Sequence, residues 1–125
     1  MIYLNIVTFF NYIVSQSKIK LKEYFHEDAT IRWHCTNEIF TVDEYIKVNC
    51  EYPGDWDGKI ELIERINNTI ILASQVYSKD KSLSFHVVSF IRIENDLIIK
   101  MDEYWAGDGL APEWRIKMKI GKLIY

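Results

Sequence analysis

Cysteine and proline are scarce in this 125-residue chain, at two each, and there are only five glycines. Two cysteines, Cys35 and Cys50, do not make the framework that staples small secreted domains, and their separation forms no CxxC motif. Both are expected as small core residues of a reduced protein. No Pro- or Ser-rich linker, low-complexity tract or internal repeat divides the chain, so one domain over residues 1–125 is expected. No apolar run reaches the ~20 residues that a membrane-spanning helix needs. The opening Met1–Val14 is apolar, but Asn5, Asn11 and Tyr12 interrupt it. It also lacks the positive start and small-residue cleavage site of a secretory signal, which leaves a cytoplasmic location and no membrane partner as the expectation.

Positive charge is not in excess either: 15 basic against 18 acidic residues give a net charge of −3. Lys117, Lys119 and Lys122 form the only basic cluster of note, too small to displace counterions along a phosphate track, so nucleic acid is not an expected partner. No G-x-G-x-x-G or Walker loop is present, and no G-x-S-x-G elbow. His26, His34 and His86 lack zinc-ligand spacing. No metal and no cofactor is expected.

What the chain does have is ring-bearing side chains. Four Trp, eight Tyr and six Phe make up 14% of it, within an ordinary 49% hydrophobic and 26% charged composition. Rings fill cores, and they also wall ligand pockets and interfaces. Ile2, Ile6, Phe9, Phe10 and Ile13 recur at helical spacing. A second short helix is expected over Ser17–Phe25, with Ser17 as its cap. Ala29–Cys35 alternates as a strand, with Ile31, Trp33 and Cys35 on one face and Arg32 and His34 on the other. Thr41-Val42-Asp43-Glu44 is a capping box that starts a helix carrying Tyr45, Ile46, Val48 and Asn49, ended before Pro53-Gly54. Strands then follow at Gly58–Asn67, Thr69–Ser78, Ser82–Glu94 and Leu97–Ala106, with turn-prone Asn67-Asn68 and Asn95-Asp96 between them. Arg115–Lys119 reads as a last strand. Helices, strand, helix and then a run of hairpins imply an α+β fold, in which a curved antiparallel sheet packs on helices and leaves a cavity.

Two stretches carry a family likeness. Tyr24-Phe25-His26-Glu27-Asp28-Ala29 precedes Ile31-Arg32-Trp33, and Asp96-Leu97-Ile98 leads to Glu103-Tyr104-Trp105. The chain resembles the nuclear-transport-factor-2-like (NTF2-like) superfamily, specifically its SnoaL-like branch, over nearly its whole length. The resemblance implies a cone with an internal pocket and a homodimer formed through the outer sheet face. It also implies a role drawn from polyketide cyclases, isomerases, hydrolases, dehydratases or non-enzymatic binding domains. Many relatives place an aspartate directly after the glutamate-tyrosine-aromatic run; here Ala106 stands there, with Asp108 two residues on.

Among residues able to carry chemistry, Glu103 ends the face Leu97, Ile99, Met101, Glu103, Trp105. A carboxylate desolvated there would have a raised pKa suited to proton transfer, as the acid or base of an isomerase, cyclase or dehydratase. The competing reading pairs it with Arg65 or Arg115. His86 shares parity with Val88, Phe90 and Arg92, opposite the more apolar Leu83, Phe85, Val87 and Ile91; it faces a dimer interface, or the pocket if a bulge shifts the register. Trp33 is expected to point inward, and Glu38 to lie in the loop where the strand leaves the cone. Tyr52 and Trp56 are either plugs or ligand walls. Trp33, Glu38, Tyr52, Trp56, Arg65 and Trp105 are the candidate binding set for a small, largely apolar molecule.

Overall fold

The capping box forms in full. Thr41 Oγ1 accepts from the Glu44 backbone N–H at 3.2 Å, while Glu44 Oε1 accepts from the Thr41 N–H at 2.9 Å. Two N-terminal donors of helix α3, Val42–Cys50, are thereby satisfied reciprocally. The structure, a computed structural model, describes residues 4–125. Ile2 of the expected first helix lies outside the described residues. Helix α1 runs over Ile6–Val14 and is capped by the Asn5 side chain, which accepts from the Thr8 N–H. Helix α2 is shorter than expected, Lys18–Lys22, and the Ser17 side chain does not cap it. The Ser17 hydroxyl instead bonds that of Ser15 at 2.9 Å, and Phe25 already belongs to the first strand.

Six strands follow in one sheet: β1 Phe25–Trp33, β2 Glu38–Thr41, β3 Trp56–Ile66, β4 Thr69–Ser78, β5 Ser84–Glu94 and β6 Leu97–Gly107. Their spatial order is β2-β1-β6-β5-β4-β3. The last four strands are joined by tight turns and pair antiparallel in sequence order. The Asn95-Asp96 turn has both residues at positive φ, 51° and 63°, the backbone of the hairpin turn whose twist matches its strands. Lys79–Leu83 closes the β4–β5 hairpin around Asp80. Its carboxylate accepts from the Ser82 N–H and from the hydroxyls of Ser78 and Ser82, and these bonds hold its pKa at about 2.

The expected all-antiparallel sheet is corrected here: β1 runs parallel to β6, so the sheet is mixed. The first strand returns to the sheet only across the whole β2-α3-β3-β4-β5 excursion, and such a long crossover permits either direction. The strand β2 was not anticipated, and Glu38 belongs to it rather than to a loop, opposite Trp33. The expected closing strand Arg115–Lys119 is a single helical turn, α4, Glu113–Lys117. Among the described residues no strand pairs with that segment, so its alternating pattern has no ladder to join.

Alternation on β4 and β5 puts Ile70, Leu72, Val76, Val87, Ile91 and Ile93 on the helix-facing side of the sheet. Phe9 and Phe10 of α1 and Tyr45 of α3 pack there with Ile31, Ile98 and Met101. A bulge between Arg92 and Ile93 pairs Ile93 with Ile98 and Arg92 with Lys100, stepping over Ile99. Ile98 is therefore buried in place of the expected Leu97 and Ile99, while Met101 and Glu103 keep the expected inward parity. Among the described residues no helix is long and apolar enough to cross a membrane.

Candidate functional site

Five strand ends and two helix C-termini meet at one end of the sheet, and a cavity of about 340 Å³ opens between them. Ile13 and Val14 come from α1, Val48 and Asn49 from α3, Val76 from β4 and Gly107 from β6. The rest of the wall is mostly rings. Tyr52 meets Trp56 at 5.3 Å between centroids, and Trp56 meets Phe85 at 6.1 Å. Phe85 meets Trp105 at 6.3 Å, and Trp105 meets Trp33 at 6.2 Å. These five form an unbroken chain of tilted and edge-on contacts, the arrangement aromatic quadrupoles favour, so each ring holds the next in place.

The polar lining residues are largely committed already. Gln16 Nε2 donates to the carbonyls of Asn49 and Tyr52, at 3.0 and 2.8 Å. Asn49 Nδ2 donates to the Ile13 carbonyl at 3.1 Å. These bonds lash the end of α1 to the end of α3 and set the distance between two walls of the cavity. The Trp56 indole donates to the Pro53 carbonyl at 3.0 Å. The surface turned to the cavity is therefore mainly apolar and ring carbon.

Of the residues singled out from the sequence, Trp33, Tyr52, Trp56 and Trp105 come together as walls. Glu103 is beside them but not on the surface of the cavity. It is 3% exposed and lies behind the indoles, where its carboxylate accepts from Trp33 Nε1 at 3.1 Å and from the Ser89 hydroxyl. Its partners are neutral donors, not Arg65 or Arg115. Burial pushes the Glu103 carboxyl above the usual range, opposed in part by hydrogen bonds from Ser89 and Trp33 and by the nearby Trp105 indole. The Trp105 N–H is itself buried and closes no hydrogen bond of good geometry. Burial likewise pushes up the Tyr45 hydroxyl, with Glu103 adding to it.

The structure does not bring the other candidates to this place. His86 projects from the opposite face of the sheet, with Val88 and Phe90. One ring nitrogen meets Asp108 and the other lies 3.1 Å from Glu61. The hydrogen bond to Asp108 is the main cause that raises the His86 pKa, with Glu61 adding to it. Asp108 also accepts from the Ser84 hydroxyl. Burial pushes its carboxyl up, but the Ser84 and His86 bonds win and hold it low. Glu38 lines a second depression with Arg32, His34, Asn37 and Ile39, which shares only Trp33 with the cavity. Arg65, near the far end of β3, donates to the Asn67 carbonyl.

Cys35, expected on the inner face of β1, is not in the core. The chain leaves the strand into a 3₁₀ turn at His34–Thr36, and Cys35 is exposed on the cavity wall. Cys50 is half-buried against the core. Sequence reasoning did not single out Gln16 or Phe85 as lining. Of these only Phe85 carried a signal, its shared parity with Val87 and Ile91. Among the described residues no group of three or more His, Cys, Asp or Glu side chains is placed to hold a metal ion.

Solved structures give the architecture its relatives. A candidate ketosteroid isomerase from Kribbella flavida superposes with a TM-score of 0.79 at 16% identity, over 96% of this chain and 87% of that one. The fold is NTF2-like. An NTF2-like protein of unknown function from Burkholderia xenovorans matches with a TM-score of 0.75 at 13% identity, over 94% of this chain and 91% of that one. A candidate SnoaL-like polyketide cyclase from Shewanella putrefaciens matches with a TM-score of 0.67 at 11% identity, over 80% and 76%. No protein-family model matches the sequence, and no curated protein matches it. Identities this low carry the fold alone.

Proposed function

We propose that this chain is a SnoaL-like small-molecule binder, its sheet and helices forming the NTF2-like cone and its ring-lined cavity taking a small, largely apolar guest. The unbroken chain Tyr52–Trp56–Phe85–Trp105–Trp33 around about 340 Å³ carries the reading. That volume lies within the ~300–1,000 Å³ of ligand sites, and mostly apolar walls with a few polar groups are their usual make-up. The amides of Gln16 and Asn49 are held by backbone carbonyls, so apolar contact rather than hydrogen bonding would supply the affinity.

Anilinonaphthalene sulfonate, a fluorescent probe with an apolar ring system and one anionic sulfonate, tests this directly. It should bind saturably and change the emission of the wall tryptophans. Val48→Trp puts an indole into the space and should weaken binding at least about tenfold, roughly 1.4 kcal/mol, with the far-UV circular dichroism unchanged. Equal binding by the folded variant would show that the probe sits elsewhere and end the reading.

A second reading makes Glu103 an acid or base for an isomerase-, cyclase- or dehydratase-type reaction. It is supported by the raised pKa of a carboxyl hydrogen-bonded to a wall of the cavity. It requires Trp33 or Trp105 to swing aside, since both stand between the carboxylate and the guest. His86, across the sheet, has no part in it. Glu103→Gln separates the two readings: probe binding survives under both, and turnover of any substrate disappears only under the second.

A further inference from the structure

The walls of the cavity have committed their hydrogen-bond donors to the protein itself. The Gln16 amide nitrogen donates to the carbonyls of Asn49 and Tyr52. That of Asn49 donates to the Ile13 carbonyl and lies 3.8 Å from Cys50 Sγ. The three wall indoles turn their N–H edges inward as well. Trp56 donates to the Pro53 carbonyl and Trp33 to Glu103, while the Trp105 N–H is buried beside the same carboxylate. What remains is acceptor. Each amide keeps its oxygen as the unused polar end, and among the described residues no hydrogen bond reaches Gln16 Oε1 or Asn49 Oδ1. The hydroxyls of Thr36 and Tyr52 accept as readily as they donate. Among the described residues that line the cavity there is no Lys, Arg or His.

An anion placed there would find neither a positive charge nor a committed donor, and an unpaired buried charge is costly. A cation finds the opposite. The faces of aromatic rings carry negative potential, strongest for Trp, and attract an ammonium group within about 6 Å of the ring centroid. Five rings in contact around one space, three of them indoles, offer several such faces together. A second observation has the same sign. Glu103 is 3% exposed and its hydrogen bonds come from the neutral Trp33 and Ser89. Among the described residues no cationic side chain pairs with it. Buried carboxylates are ordinarily matched by a counter-charge, and this one has its open side at the indoles of Trp33 and Trp105.

We propose that the guest of this cavity is a monovalent organic cation with apolar substituents, a quaternary or tertiary ammonium compound, held by the Tyr52–Trp56–Phe85–Trp105–Trp33 rings with Glu103 as the charge behind them. The inference rests on the cavity reading and adds the class of guest to it. The sulfonate of anilinonaphthalene sulfonate stays in solvent, so that probe reports the apolar space and not the sign of the charge it prefers.

A matched pair of compounds separates charge from shape. (3-Hydroxyphenyl)trimethylammonium and 3-tert-butylphenol differ only in a charged nitrogen set in place of a carbon. Titration calorimetry and displacement of the fluorescent probe should give the ammonium compound at least about tenfold the affinity of the phenol, although the phenol is the more hydrophobic. Glu103→Gln and Trp56→Leu should each shrink that ratio, the first without changing the affinity for the phenol. A phenol that binds as tightly as the ammonium compound, both displacing the probe, overturns the inference and leaves the cavity reading standing. So does a ratio unchanged in both variants. Ammonium binding that survives Val48→Trp, which fills the space, would place the cation elsewhere on this acidic chain and overturn it equally. Failure of the probe and of both compounds removes the cavity reading, and the inference with it.

Discussion

Glu103 is a carboxylate kept in the interior by neutral donors, and this has a measurable consequence. Its folded pKa is raised, so the folded state binds the proton more tightly than the unfolded state does. The stability it contributes is fully present below the ordinary glutamate range and is lost as pH rises through the raised value. Thermal unfolding followed from acid to neutral pH should therefore show a fall in stability across that window. In Glu103→Gln the fall should shrink, because an amide of the same shape has no proton to lose. A variant whose profile keeps the full wild-type slope would show that another group titrates there. The partners also tie the sheet together at this point: Ser89 and Trp33 come from strands on either side of β6, so the carboxylate links three strands.

At the level of elements, α3 depends on its first turn. It is nine residues long, short enough that propensity alone would not hold it in water. Thr41→Ala removes the hydroxyl that accepts from the Glu44 N–H and should cost about 1 kcal/mol, read as a lower denaturant midpoint with unchanged slope. Glu44→Gln, able to keep the reciprocal bond, should cost less. This helix was legible because both halves of its cap lie within four consecutive residues. The closing segment was misread for the opposite reason. Trp114, Ile116, Met118 and Ile120 alternate with Arg115, Lys117 and Lys119 as a strand would, but alternation states a preference that only a neighbouring strand can realise. Among the described residues no strand pairs with it, and one helical turn forms instead.

Across the whole molecule, the distance between the α1 helix and the sheet is set at Gly58. A Cβ built there would lie 2.6 Å from Phe10 Cζ, 2.9 Å from Val14 Cγ1 and 3.0 Å from the Gln75 carbonyl oxygen. Phe10 is packed in the core and the carbonyl belongs to the β3–β4 ladder, so neither yields freely. Gly58→Ala should destabilise by roughly 1–3 kcal/mol, the range of an overpacked core. It should also disturb the cavity, because Val14 is one of its walls. Unchanged unfolding and unchanged probe binding in this variant would show that the helix has room to move.

What this sequence determined by itself is whatever is written within a few neighbouring residues. The capping box, the Asn95-Asp96 hairpin, the alternation of β4 and β5 and the inward parity of Glu103 all depend on local backbone chemistry and period. The NTF2-like likeness of the two short motifs, borne out by the superposed structures, belongs with them. The tertiary structure decided what needs distant segments to meet. It set the parallel pairing of β1 with β6, which spans the whole chain between them. It placed the bulge that exchanges Ile98 for Ile99, and it turned His86 to the outer face while closing Glu103 behind two indoles. It also brought Gln16 against Asn49, 33 residues away, to hold one edge of the cavity. Neither residue announces that contact, because a hydrogen bond between a side chain and a remote carbonyl leaves no period and no spacing in the sequence.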